Sequence, residues 1–262
     1  MATILTTKTV DPDSIWTTWF RGYASQRSPI QVLLSAGLDP NAHTWGGKYT
    51  PPMASVFQTG VAADLPPEQL IALIDAGADV NDPSVLGLPP LVDVIDQYDD
   101  AHYRDVMSAL LEAGADVNGR ASDGDTPLLR LMYTHKDLAA EDMLLSAGGD
   151  PNAANEDGER PLTIAIRAPL ALVAIEHLLE HGADLNANAH DGPVWAHMIE
   201  HNPLYQSNHD LQIVAPVLER VVQDPGLQID LSSPGVKRAL ERADTNPLVK
   251  PYADVIRARA TN

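Results

Sequence analysis

Short apolar runs alternate with polar turns along this chain, and five of the runs close in nearly the same six residues. The closing segments are Ala36 to Asn41, Ala76 to Asn81, Ala113 to Asn118, Ala147 to Asn152 and His181 to Asn186. The second and third read A-G-A-D-V-N, and the run before the fifth, Ile175 to His181, is the helix-like I-E-H-L-L-E-H. Their glycines, Gly37, Gly77, Gly114, Gly148 and Gly182, are spaced by 40, 37, 34 and 34 residues. A period in the low thirties predicts a stacked solenoid. Just past a helix, glycine takes the left-handed conformation that closes the C-terminus. The Asp and Asn that follow turn the chain through side-chain-to-backbone bonds.

About thirteen residues after the glycine stands a proline followed by leucine: Pro90-Leu91, Pro127-Leu128 and Pro161-Leu162. Thr126 before Pro127 marks the clearest helix start, because a threonine N-cap satisfies an orphan amide and proline at the first helical position needs no donor. Between turn and helix lie polar, glycine-containing stretches such as Gly119 to Asp125, which suit a projecting hairpin-like finger. Each repeat is therefore expected to run finger, inner helix, outer helix.

Residues 11–36 read as an N-terminal capping pair, with a first helix near Asp13 to Ala24 carrying Ile15, Trp16, Trp19 and Phe20, then Ser28 to Ala36. Repeats are expected over 37–223. Gly60 to Pro67 reads as an insertion between two helices, which would account for the 40-residue interval. After Gly182 the finger reads two residues short, with Asp191-Gly192-Pro193 starting the next helix. The long connection Asn202 to Asp210, with Tyr205, then leads to an outer helix over Leu211 to Val222. Beyond Gln223 the pattern decays. A turn at Asp224-Pro225-Gly226, a helix over 234–243 begun by Ser233 and Pro234, and a last one over Pro247 to Ala260 form a polar cap, 224–262. The expected whole is one solenoid domain, 1–262.

With the GADVN-type turns, the Thr126-Pro127-Leu128 helix start and the outer helices in fixed phase, residues 28 to 200 resemble an ankyrin repeat protein. The resemblance implies an all-α, helix-turn-helix solenoid with short hairpin-like fingers and helical caps. It also implies a partner held by the finger tips and the exposed side of the inner helices. The family's histidine after Thr-Pro-Leu, which helps tie neighbouring fingers, is absent: Val92, Leu129 and Thr163 stand there, and Pro89 replaces the capping threonine. Looser fingers are the expectation.

Charge changes the picture most. Lys plus Arg is 17 and Asp plus Glu 36, a formal net charge of -19. Five acids, Asp39, Asp79, Asp116, Asp150 and Asp184, belong to the turns, which still leaves -14. Such a field repels nucleic acid and anionic lipid and attracts basic partners, or serves solubility alone. Zero cysteines exclude disulfides, thiol catalysis and thiolate metal sites. No basic, apolar leader and no stretch of membrane-spanning length is present, so a cytoplasmic location is expected. Hydrophobic content of 44% with 5% aromatic suits helices packed through Ala, Leu, Val and Ile.

Candidate chemistry is sparse. His197-Met198-Ile199-Glu200-His201 spells the inverted zinc-protease pattern H-x-x-E-H, yet it falls on an inner helix ended at once by Asn202-Pro203. The downstream glutamates Glu219 and Glu241 do not supply the third ligand of a large catalytic domain. His177 and His181, one turn apart, read as an adventitious surface pair. Gly46-Gly47-Lys48 lacks the first glycine (Ala42) and the Ser or Thr (Tyr49) of a phosphate loop. No enzyme, cofactor or metal is expected.

By register, the first fingers carry Trp45, Lys48, Tyr49, Val85, Leu86 and Leu88, an apolar and aromatic patch suited to an interface anchor. Trp45 and Tyr49 folding onto Pro51 and Pro52 is the other reading. Later fingers carry Asp123, Asp125, Glu156, Asp157, Glu159 and Asp191. The expectation is a protein-binding module, monomeric until bound, that takes a basic partner as an inhibitor or immunity protein of a secreted toxin. An adaptor bridging two proteins, one on the fingers and one on Asn202 to Asp210, is the alternative.

Overall fold

The structure, a computed structural model, describes residues 29–35, 37–41, 43–44, 54–62, 65–83, 87–97, 103–134, 137–166, 171–201 and 211–261. The expected first helix with its tryptophans, the finger residues Trp45, Lys48, Tyr49, Val85 and Leu86, the Gly46-Gly47-Lys48 stretch, and the connection 202–210 lie outside them.

The chain divides into two compact units, Met1–Ser122 and Asp123–Asn262. In the first, α1 (Pro29–Ser35) is followed by the strand pair β1 (His43–Thr44) and β2 (Ala54–Ser55). Then come α2 (Val56–Ala62), α3 (Pro67–Asp75), α4 (Pro90–Gln97) and α5 (Tyr103–Glu112). The strands pair antiparallel, α2 stacks on α4, and α1, α3 and α5 stack in series behind them. In the second unit, α6 (Pro127–Thr134), α8 (Pro161–Ala165), α10 (Val194–Glu200) and α12 (Pro234–Asp244) form the inner row. The outer row is α7 (Leu138–Ser146), α9 (Ala171–Glu180), α11 (Leu211–Gln223) and α13 (Lys250–Ala260). The antiparallel hairpin of β3 (Asn188–Ala189) and β4 (Gly192–Pro193) is the finger before α10. No helix among the described residues is long and apolar enough to cross a membrane.

The helix ends follow the sequence rule. The five turn glycines sit at φ +90 to +94°, and a Cβ on any of them would meet nothing within 4 Å, so backbone conformation and not space requires glycine. After α3, the Gly77 amide donates to Ile74 O at 2.9 Å and the Ala78 amide to Leu73 O at 3.0 Å, satisfying carbonyls the helix leaves open. Asp and Asn then divide the work. Each Asp carboxylate accepts from the amide two residues on, as Asp79 does from Asn81 at 2.9 Å. In the first unit Asn41 and Asn81 reach the next repeat: Asn41 donates to Gly77 O and accepts from the Asp79 amide, and Asn81 does the same to Gly114 and Asp116.

In the second unit Asn152 clamps Gly182 and Asp184, and Asn186 clamps Gly226 O at 3.0 Å and the Gln228 amide at 2.7 Å. The ladder therefore continues past Gln223, where the sequence pattern decays, and α12 and α13 stack as a further repeat. Replacing Asn186 with alanine removes both bonds of one rung, a loss of about 1–2 kcal/mol at this solvent-facing position. A chemical denaturation midpoint that does not fall would refute the clamp.

Arg257 and Arg259 of the last segment act within the chain. Arg259 donates to Val222 O and Asp224 O at 2.6 and 2.8 Å, setting a cation at the C-terminus of α11. Arg257 pairs with Asp244 at 2.7 Å and Asp254 at 3.3 Å.

Two expectations are corrected by the helices. Gly60 lies inside α2, where a Cβ would come within 3.0 Å of both Leu65 and Leu70, so 60–67 is no insertion. The extra length is in the finger, where nine residues separate β1 from β2 and two separate β3 from β4. Pro193 belongs to β4 and caps α10, which begins at Val194.

Candidate protein-binding face

Fingers and inner helices of the second unit form its polar face. Thr126 caps α6 as its sequence requires, its hydroxyl accepting from the Leu129 amide at 3.3 Å. At the tips, Gly124, Gly158 and His190 hold φ of +81, +76 and +56°. His190 is the non-glycine residue in this left-handed conformation. Adjacent fingers touch backbone to backbone. The Glu156 amide donates to Asp123 O at 3.2 Å, and a Cβ on Gly124 would lie 2.9 Å from Glu156 N.

The missing histidine does not leave the fingers loose, because other side chains tie them. Arg160 Nε donates to Asn188 O of the next finger at 2.8 Å, and its guanidinium also meets Asn152 O of its own turn. Thr163, at the histidine's position, closes the α8 start, accepting from the Arg160 amide and donating to its carbonyl, both at 2.8 Å. In the first unit Gln58 takes that place. It forms a reciprocal capping box with Ser55 and donates to Asp82 O of the next turn at 2.5 Å.

Asn155 is the centre of a network across two fingers. Its Nδ2 donates to Asp125 Oδ1 at 2.9 Å and to the Tyr133 hydroxyl at 3.1 Å, while its Oδ1 accepts from the Glu159 amide at 2.9 Å. The Tyr133 hydroxyl donates to Glu159 Oε2 at 2.5 Å; burial first, and then this bond to a carboxylate, push its ionisation upward. Arg130 lies 2.7 Å from Asp123 and 3.6 Å from Asp125. Burial raises the Asp125 carboxyl against the pull of Asn155. At Asp123 burial acts the same way, but the Asp125 amide and Arg130 outweigh it and hold the group below the usual carboxylate range.

A second cluster sits at the next finger. The His197 ring stacks with His190 at 5.0 Å and with His201 at 4.1 Å between centroids. Arg238 of α12 reaches Asp191 Oδ1 at 2.6 Å and Glu200 Oε1 at 3.3 Å. Its hydrogen bond is the main cause that draws the Asp191 carboxyl down. Glu200, the glutamate of the H-x-x-E-H pattern, is thus an ion-pair partner, and the imidazoles meet face to face. His181 Nδ1 lies 2.9 Å from the His177 carbonyl. Among the described residues no group of three or more His, Asp or Glu side chains is arranged to hold a metal.

Of the residues expected at the surface, Asp123, Glu156, Asp157 and Asp191 are exposed, Leu88 and Glu159 are half-buried, and Asp125 is 3% exposed beneath its finger. Arg130, Tyr133, Asn155, Arg160 and Arg238 were not among the expected site residues. The register carried a signal for two of them: Arg130 and Tyr133 stand three and six residues after Pro127, one helical turn apart. Nothing local announces Arg238, whose partners lie 47 and 38 residues away.

The stacked finger and helix-pair geometry is a divergent ankyrin repeat fold. Among solved structures it is similar to an ankyrin repeat domain from Acinetobacter baumannii AYE, with a TM-score of 0.57 and 22% identity over 70% of this chain and 90% of that one. No protein-family model and no curated protein matches the sequence.

Proposed function

We propose that the chain is a non-enzymatic binding module whose finger face takes a basic protein, and that it neutralises that protein as an inhibitor or immunity protein does. One observation supports this reading above others: Asp123, Glu156 and Asp157 stand exposed on adjoining fingers, held by the Asn155 network, while Arg130 on the same face is bound to Asp123 and Asp125. The acids are therefore presented on an ordered frame. An ordered frame lowers the entropy lost on association, and a net charge of -19 speeds the encounter with a cationic partner.

A nuclease-like toxin fits the chemistry, since a protein that grips phosphates is itself basic. In this reading the chain is a cytoplasmic monomer until it binds, with Trp45, Lys48, Tyr49, Val85, Leu86 and Leu88 completing the contact.

Affinity capture from native extract at low and high salt, followed by assay of the captured activity, tests the reading. The wild-type chain is expected to retain a basic protein at low salt and to abolish its activity. Glu156→Lys with Asp157→Lys is expected to weaken that capture by about 10- to 100-fold, as loss of close charge pairs does. Equal capture by the reversed-charge chain, or a bound partner of unchanged activity, would overturn it.

A further inference from the structure

Seven residues before each turn glycine the outer helices place a core side chain, and the series reads Ile30, Leu70, Met107, Glu141, Ile175. All five are buried: 1, 0, 0, 1 and 0% exposed. A carboxyl therefore occupies, on α7, a position that four other outer helices fill with a large apolar side chain. Glu141 Oε1 meets no hydrogen-bond donor among the described residues. An ionised carboxylate so placed lacks, at Oε1, both water and a donor to replace its hydration, which disfavours the charged form.

Among the described residues of the second unit, no cation is paired with Glu141. Within the unit α7 packs on α6 and α9. On α6, Arg130 is engaged by Asp123 and Asp125, and Tyr133 is bound to Glu159 and Asn155. On α9, Glu176 and Glu180 are exposed acids, and His177 is half-buried, with Nδ1 also lacking a hydrogen bond. On α7 itself, Asp142 is exposed and adds like charge, and Asp137 is occupied in accepting from the Ala139 and Ala140 amides that it caps.

We propose that Glu141 is a proton-operated latch: neutral, it lets α7 pack against α6 and α9 as seen, and on losing its proton it loosens α7 and with it the finger frame that α6 carries. In consequence the face formed by Asp123, Asn155 and Glu159 is most firmly ordered in acid and slackens as pH rises toward neutral. This consequence rests on the binding reading above, whereas the latch itself does not.

Burial first, and then the Asp142 carboxylate, lift Glu141 from the usual 4.5 to about 7. The folded state therefore holds its proton more tightly than the opened state. Stability from this group is complete below pH 4.5 and is lost as pH rises through about 7. With those two values, the opening equilibrium of α7 rises about 70-fold between pH 5 and pH 8, the direct output of the linkage relation.

Amide hydrogen exchange on the full chain, corrected for intrinsic rates, tests this without any partner. Amides of α7 and of the finger 123–126 are expected to lose protection by that factor between pH 5 and 8, while those of α12 and α13 hold theirs. Glu141→Leu, which restores the apolar series, and Glu141→Gln should both abolish the pH dependence at α7. Three results would each overturn the proposal: protection of α7 independent of pH in the wild type, a pH dependence that survives in Glu141→Leu, or an equal change throughout the second unit. A failure to capture a basic protein would leave these exchange results standing and sink only the binding reading.

Discussion

Trp195→Ala is expected to destabilise the second unit by about 3–5 kcal/mol, the range for truncating a buried tryptophan. Trp195 is fully buried on α10 and is the largest side chain in the described core. Its loss removes packing between neighbouring helices of the inner row and leaves a void that close-packed neighbours fill only in part. A polar cost adds to the apolar one. The indole Nε1 donates to Gln228 O at 3.2 Å, in the turn that leads to α12, and truncation leaves that carbonyl without its donor.

Trp195→Phe separates the two contributions. Phenylalanine keeps most of the volume and none of the hydrogen bond, so a loss of about 1–2 kcal/mol is expected. Denaturant titration followed by far-ultraviolet circular dichroism reads both variants. An alanine variant within about 0.5 kcal/mol of wild type, the scale of a neutral surface change, would show that α10 and α12 do not depend on this residue.

What the sequence reveals and what it hides divide along the range of the interactions. The turn glycines are legible because a positive φ is a demand on one residue, met by Gly77 and Gly114 whatever lies around them. The Asp role is equally local, an acceptor two residues before its donor. The Asn role is only half visible, because its partners stand 30 to 42 residues further on. A repeat interval counts residues without locating them, which is why the lengthened finger reads as an insertion at Gly60.

The absent histidine misleads for a related reason. A family role can pass to residues of other types, and Gln58, Arg160 and Thr163 each take part of it. Glu141 lies within reach of simple counting from Gly148. Beside Asp142 and after two alanines, however, it reads as an ordinary charged helix face, and only its burial shows otherwise. The acidic finger face was legible as a set of acids but not as a frame. Asp125 is drawn under its finger, and Asn155 and Tyr133, neutral residues, hold it together.

The same long-range logic sets the sign of Gly235→Ala. In the first turn of a solvent-facing helix that change stabilises by up to about 1 kcal/mol, through lower backbone entropy in the unfolded chain. Here a Cβ on Gly235 would stand 2.8 Å from Gly192 Cα, 2.9 Å from Asp191 O and 3.0 Å from Gly192 N. All three are backbone atoms of a two-residue hairpin turn and strand, so neither side can rotate away. α12 would have to lift off β4, carrying Arg238 from Asp191 and Glu200 and drawing the Gln228 turn from Trp195. The expected result is a loss of about 3 kcal/mol, at the upper end for an overpacked site, together with faster amide exchange in α12 and α13. Gly226→Ala serves as the comparison, since its Cβ would meet one side-chain oxygen, Asp224 Oδ1, at 3.2 Å. A Gly235→Ala chain as stable as wild type would mean that α12 shifts along the finger at no cost, and that the close backbone approach does not fix its position.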